Sequence, residues 1–199
     1  MNKTISALVL TCAGWLTPVH AATAAPPSDE LVEPLVINGC PIWPYTRCPG
    51  ADLRHADLSG KNLVGADLRG ANLTRANLRA ANLAIADLEG ANLTAVDMSK
   101  ASAPAAIFRN ATLIAANLYS ARLMRADFTG ADFTGASLEF ARLNFAWLDH
   151  ARLISTDLQE AKFVTVNLRG AIMEGCKLRF TIFPDSDFTA CTGCPEGWN

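Results

Sequence analysis

The residues best suited to chemistry in this chain are five cysteines: Cys40, Cys48, Cys176, Cys191 and Cys194. Cys191 and Cys194 form a C-x-x-C in the terminal run CTGCPEGWN. A redox pair of this kind needs a helix N-terminus to depress a thiol pKa, within a strand–helix–strand setting. Neither precedes Cys191. A structural zinc needs four ligands, commonly two such pairs, and Cys40 and Cys48 supply the second pair only if the chain ends meet. Local disulfides, Cys40 with Cys48 and Cys191 with Cys194, are the simpler reading. Free or intermolecular thiols, metal binding and redox use stay open as alternatives. Cys176 is left over, and a reduced thiol in the core accounts for it.

No other catalytic pattern emerges. The sequence has no G-x-S-x-G, no H-E-x-x-H and no G-x-x-x-x-G-K. His55 and His150 are far apart, and no Ser-His-Asp arrangement is suggested. Carboxylates are abundant, but they recur at one place in a repeat, so a glycosidase pair would be arbitrary. The expectation is a non-enzyme with no cofactor and no metal.

The chain must leave the cytoplasm if the disulfide reading is right. Residues 1–24 read as a secretory signal: Lys3, the apolar run Ile5–Leu16, then small-residue cleavage sites before Ala22 or, preferably, Ala25. The apolar run is shorter than the roughly 20 residues a bilayer span needs. A periplasmic or otherwise exported chain follows, with no membrane insertion after cleavage. A lipid anchor on Cys12 is disfavoured because Thr11 precedes it.

What positions all of these residues is a repeat. From Leu53 to Phe188 every fifth residue, 28 positions in unbroken phase, is Leu, Met or Phe except Ala103. Calling that position i, residue i−2 is Ala with the exceptions Lys61, Val96, Thr156, Val166, Cys176, Thr181 and Ser186. Period five fits neither a helix nor a strand. It needs a backbone that turns a corner every five residues, with i and i−2 pointing inward as alternating large and small residues. Asp or Asn at i−1 suits the corner, because their side chains cap nearby N–H groups. Ala101–Ala105 departs from the pattern, and Pro104 there predicts a local bulge. Lys61, at an inward position, is expected to reach toward the N-terminal opening.

The A(D/N)LXX motif over residues 51–190 resembles the pentapeptide-repeat family. That resemblance implies an all-β fold: a right-handed quadrilateral β-helix with four repeats per coil, hence about seven coils and a rod roughly 30 Å long. Residues 25–50 then form a linker and N-terminal cap, and residues 191–199 a C-terminal cap over the open stack.

Four repeats per coil stack residues 20 apart. The side through Leu63, Leu83, Leu123 and Leu143 then displays Arg122, Arg125, Arg142 and Lys162, with Met124 and Phe145; Asp185 alone opposes them. The next side, through Leu68, Leu88, Phe108 and Phe128, carries Asp67, Asp87, Glu89, Asp127 and Asp187, partly offset by Arg69, Arg109 and Arg169, and also Trp147. Tyr119, Arg122, Arg125, Phe140, Arg142, Phe145 and Trp147 are therefore the candidate interaction surface.

The formal charge of −2 on 199 residues gives no bias toward nucleic acid. The expected function is a non-catalytic exported scaffold or protein-interaction module with an unnamed protein partner. The family resemblance adds one alternative, a DNA mimic that binds topoisomerases. An export signal and 15 acidic against 15 basic residues in the repeats disfavour it at this stage. The second alternative is a thiol or metal protein using Cys191 and Cys194. A homodimer through the last coil is a further expectation, from Phe180, Phe183 and Phe188.

Overall fold

The computed structural model describes residues 34–195. The expected signal over residues 1–24, the first part of the linker and residues 196–199 of the terminal cap lie outside the described residues.

The described chain begins with a hairpin: β1 (Leu35–Ile37) pairs antiparallel with β2 (Cys40–Ile42) in the register Ile37↔Cys40. Its two-residue turn is Asn38-Gly39, with φ of 48° and 80°. Positive φ at both positions is what a tight type I′ hairpin demands, and Asn-Gly meets it at little cost.

Beyond the hairpin, single-residue parallel bridges link every i−1 residue to the one 20 positions later, from Arg47↔Asp67 to Ile172↔Thr192. One coil is thus 20 residues with four corners, each five residues apart.

The five backbone N–H groups of a repeat have five fates, which explains the period. The i−1 N–H donates to the coil before, as Arg142 does to Ala121 (2.9 Å). The i and i+2 N–H groups donate to the coil after, as Leu123 does to Arg142 (2.8 Å) and Arg125 to Asn144 (3.0 Å). The next i−2 N–H closes the corner onto the i carbonyl, as Ala146 does onto Leu143 (2.9 Å). The i+1 N–H points outward and needs a side chain. Asp or Asn at i−1 supplies it: Asn72 Oδ1 accepts from Thr74 N–H at 3.1 Å, and Asp127 Oδ1 from Thr129 N–H at 3.0 Å.

Each corner holds its i+2 residue at positive φ, as a type II turn does. Many of these are not glycine, and Ile85 (52°) and Thr165 (53°) are β-branched. Such residues occupy this region only against strain, so the stacked coils enforce it. Gly65 has a second reason to be glycine: a Cβ there would lie 2.5 Å from the Tyr45 ring.

The interior is the column of i and i−2 side chains. Leu63, Leu83, Leu123 and Leu143 are fully buried, as are the alanines between them. Stacked phenylalanines fill part of the rod: Phe108 lies 4.7 Å from Phe128, and Phe163 lies 4.9 Å from Phe183, between ring centroids. Where i−2 is a threonine or serine, its hydroxyl finds a carbonyl of the preceding coil. Thr156 donates to Phe133 (3.0 Å), Thr181 to Leu158 (2.7 Å) and Ser186 to Phe163 (2.6 Å). Lys61 is half-buried, in the early coils.

The bulge expected at Pro104 is absent. Ser102 bridges Arg122 in register and Ala105 N–H meets Met124 at 2.9 Å. Pro104 falls at the first corner position, where proline's fixed φ is favoured and no coil-to-coil N–H is required. Buried Ala103 is matched in its own coil by the bulkier Met98 and Phe108.

Candidate functional site

On three of the four sides ion pairs offset much of the charge. On the side through Leu68, Arg69 grips Asp67 (2.7 Å) and approaches Asp87 (3.7 Å), Arg109 reaches Glu89 (3.5 Å) and Asp127 (3.8 Å), and Arg169 reaches Asp187 (4.0 Å). On the other two sides, Arg54 pairs with Asp52, Arg152 with Asp132, Arg79 with Asp97 and Lys177 with Asp157. These hydrogen bonds hold carboxylates in their charged form. Asp52 is pulled to about 2, chiefly by the Arg54 side chain. Asp67 is lowered by the Arg69 guanidinium, and Asp57 and Asp187 by the hydroxyls of Ser59 and Thr189. At Asp157 burial pulls upward, but hydrogen bonds from Gln159 and Lys177 outweigh it.

The side through Leu63 is different. Arg122, Arg142 and Lys162 occupy successive i−1 positions and bridge one another in order through the backbone. One layer of about 4.8 Å therefore separates each from the next. Among the described residues none of the three has a carboxylate within ion-pair distance. They line a groove of about 660 Å³ with Ser120, Phe140 and Glu160. Glu160 is the one acidic residue on its wall.

Two residues further along the same coils is a second cleft, of about 380 Å³, lined by Pro104, Ala105, Met124, Arg125, Asn144 and Phe145. The Arg125 guanidinium lies over the Phe145 ring, 5.9 Å from its centroid. Asn144 Oδ1 is buried there with no hydrogen-bond partner.

The seven candidate surface residues fall at four places. Tyr119 and Phe140 meet edge to face at 5.5 Å, at the corner leading into this side. Arg122 and Arg142 lie on the side, while Arg125 and Phe145 take the corner leaving it. Trp147, 47% exposed, sits beyond that corner on the acidic side, bridged to Asp127 and Asn167. Counting by 20 found these residues. It did not find Lys162's place in an unpaired ladder, Glu160, or the Pro104–Phe145 cleft, which draws corner residues from three consecutive coils.

The cysteines lie near the ends of the described chain. Cys40 and Cys48 have Cα atoms 5.7 Å apart, and Cys191 and Cys194 have theirs 5.9 Å apart, both at disulfide distance. Cys48 occupies an i position directly before Leu53, so the hairpin end and the first coil share it. Cys176 is half-buried, donates to the Leu153 carbonyl, and has its thiol pushed up by burial. At the C-terminal end Phe183 is buried and Phe188 half-buried, while Phe180 is exposed with the Arg179 guanidinium 4.7 Å from its ring centroid.

A 20-residue parallel register, five-residue corners and a Leu/Ala interior define a four-sided β-solenoid. The family of pentapeptide repeats matches residues 46–83, 71–104, 106–144 and 136–175, in eight copies. The chain belongs to the pentapeptide repeat family, which with its solved members implies a right-handed quadrilateral β-helix. Among solved structures, a trypsin-treated variant of QnrB1, a plasmid-mediated fluoroquinolone resistance protein, is 18% identical, with a TM-score of 0.52 over 74% of this chain and 73% of that one. HetL from Nostoc sp. strain PCC 7120, involved in heterocyst differentiation regulation, is 25% identical over 74% of this chain and 89% of that one, with a TM-score of 0.22. Rfr23 from Cyanothece 51142 is 29% identical over 66% and 90%, with a TM-score of 0.29. No curated protein matches the chain.

Proposed function

We propose that the chain is a non-catalytic, exported interaction module: a stiff rod of about seven coils that presents one basic, partly apolar side to a protein partner. The observation that carries this reading is the unpaired ladder Arg122–Arg142–Lys162, which adjoins the exposed rings of Phe140 and Phe145. Disulfides Cys40–Cys48 and Cys191–Cys194 fasten the two ends, as suits an oxidising compartment.

A photo-crosslinking residue at position 145, compared with one at position 54 on a self-paired side, tests the contact surface in cells. A discrete adduct at 145 and none at 54 is expected; adducts at neither position, or equally at both, overturn it. Intact mass with thiol alkylation tests the compartment. A chain lacking about 24 residues, with four protected thiols and Cys176 free, is expected under the signal-cleavage reading. An unprocessed chain with six reactive thiols, Cys12 included, overturns export.

DNA mimicry at a topoisomerase is the second reading, favoured by the fold shared with a fluoroquinolone resistance protein. It calls for an unneutralised acidic stripe, and Asp67, Asp87, Asp127 and Asp187 are partly engaged by arginines here. Protection of gyrase from a quinolone by the purified chain would establish this reading over the first.

A further inference from the structure

The ladder side lacks more than counter-charges. In its early coils the outward i+1 N–H groups of Val64 and Ala84 are met by Asn62 Oδ1 (3.3 Å) and Asn82 Oδ1 (3.2 Å). In the next coil the i+1 residue is Pro104, which has no N–H. In the three coils after that, Arg122, Arg142 and Lys162 replace the Asx residue. The N–H groups of Met124, Asn144 and Val164 consequently have no acceptor among the described residues.

Three outward amides and three unpaired cations thus stand side by side, stepped about 4.8 Å apart along the rod. Both kinds of group call for an anionic oxygen. The apolar cleft of Pro104, Met124 and Phe145 lies on the same side, two residues from the ladder, or about 6.6 Å along an extended backbone.

We infer that this side binds an acidic polypeptide segment. Its Asp or Glu carboxylates take the places left by the missing Asx oxygens on Met124, Asn144 and Val164 N–H, between the cations, and a neighbouring apolar side chain enters the Pro104–Phe145 cleft. Charge complementarity selects an acidic partner. The adjoining cleft selects a peptide over a polyuronate or a nucleic acid, because a peptide alone carries aliphatic or aromatic side chains beside its carboxylates. Uncapped i+1 amides recur elsewhere, as at Arg109, Asp149 and Arg179, but among the described residues no other side leaves both the amide and a cation unmet in three consecutive coils. Arg152 and Lys177 also replace Asx, but each reaches the carboxylate one coil earlier, Asp132 at 3.6 Å and Asp157 at 3.1 Å.

This inference rests on the reading of the side as a contact surface. Its test uses the full chain and defined probes: a fluorescent 12-residue peptide alternating Glu-Glu-Phe, an oligo-Glu of equal charge, an oligouronate and a short DNA duplex. Anisotropy is measured at low and moderate salt. The Glu-Glu-Phe peptide is expected to bind best and to shift the amide resonances of Met124, Asn144 and Val164. Triple replacement R122N/R142N/K162N, which restores the internal acceptor, is expected to weaken it at least tenfold. Phe145→Ala is expected to weaken the Glu-Glu-Phe peptide while leaving oligo-Glu unchanged. Arg152→Asn is the control, expected to do nothing. The inference is overturned if no peptide binds, if R152N loses as much as the triple variant, or if the uronate or the duplex binds more tightly. Persistence of the position-145 adduct in any of those cases would leave the contact surface standing and reject only its acidic partner.

Discussion

The sides through Leu68 and Leu63 are built on the same backbone, with the same buried leucine-and-alanine wall and the same corners. On one, Asp at i−1 caps an N–H and receives an arginine from i+1 of its own or an adjacent coil. On the other, the cation itself stands at i−1, the cap is gone, and like charges stack. The scaffold tolerates both because the coil-to-coil hydrogen bonds of the i−1, i and i+2 N–H groups run between main-chain atoms whatever side chain stands at i−1. Neighbouring cations across a ladder repel by about 1 kcal/mol or less in a water-like dielectric, and the missing caps add to that. The Asx rule is broken on the other sides too, at Ile107, Trp147 and Arg152 among others, but only here do cations break it in three consecutive coils, and such departures concentrate at functional sites.

The largest effect should be blind to the difference. Leu143→Ala beneath the ladder and Leu148→Ala beneath Trp147 both empty a fully buried position. Each should lower stability by about 2–5 kcal/mol, to a similar extent, as measured by denaturant unfolding. A large asymmetry would mean that the two sides differ in their interior as well as their surface.

Next, the sides should respond with opposite signs. Asp127→Ala removes acceptance from Thr129 N–H and hydroxyl (3.0 and 2.7 Å) and the approach of Arg109, and should cost about 1 kcal/mol. Arg142→Asn relieves repulsion and supplies an acceptor to Asn144 N–H, and should gain about 0.5–1 kcal/mol. Thermal melts of the two variants check both signs. Destabilisation by Arg142→Asn would show that the ladder is held by something other than a partner's absence.

The smallest effect per group is acid sensitivity. Asp52, Asp57, Asp67, Asp157 and Asp187 titrate below the ordinary 3.8 when folded, Asp52 at about 2. A depressed carboxylate adds stability that is fully present above its unfolded pKa of about 3.9 and is lost as pH falls through its folded value. Stability should therefore be flat in these groups above about pH 5 and decline from about pH 4 toward 2. The triple variant of the ladder, which touches none of them, should show the same acid limb in pH-dependent melts.

Much of this was legible in the residues. Leu at i and Ala at i−2 fix which side chains are inside, and Asp or Asn at i−1 announces the cap. Counting by 20 then gathers Arg122, Arg142, Lys162 and Phe145 on one side. Pro104 was misread because it was weighed as a strand residue, whereas its place is the first position of a corner. The Asn38-Gly39 hairpin was written plainly in VINGCPI and passed over beside the cysteines. What sequence could not give was which cations are paired. Arg69 pairs two residues away and Arg152 pairs 20 away, while Arg142 pairs with neither. That depends on side-chain reach between coils, which residue type alone does not encode.

The 20-residue register has a consequence for how such a rod can be edited. Five residues added at a corner would lengthen the chain by one whole repeat and leave every inward position inward. Everything downstream, however, would be indexed a quarter turn against everything upstream. Placed between Lys100 and Arg122, such an insertion would carry the basic ladder intact out of line with Asn62 and Asn82. An insertion of 20 would lengthen the rod with no rotation at all. Facing direction and length can thus be set separately, like the notches and the shaft of a key.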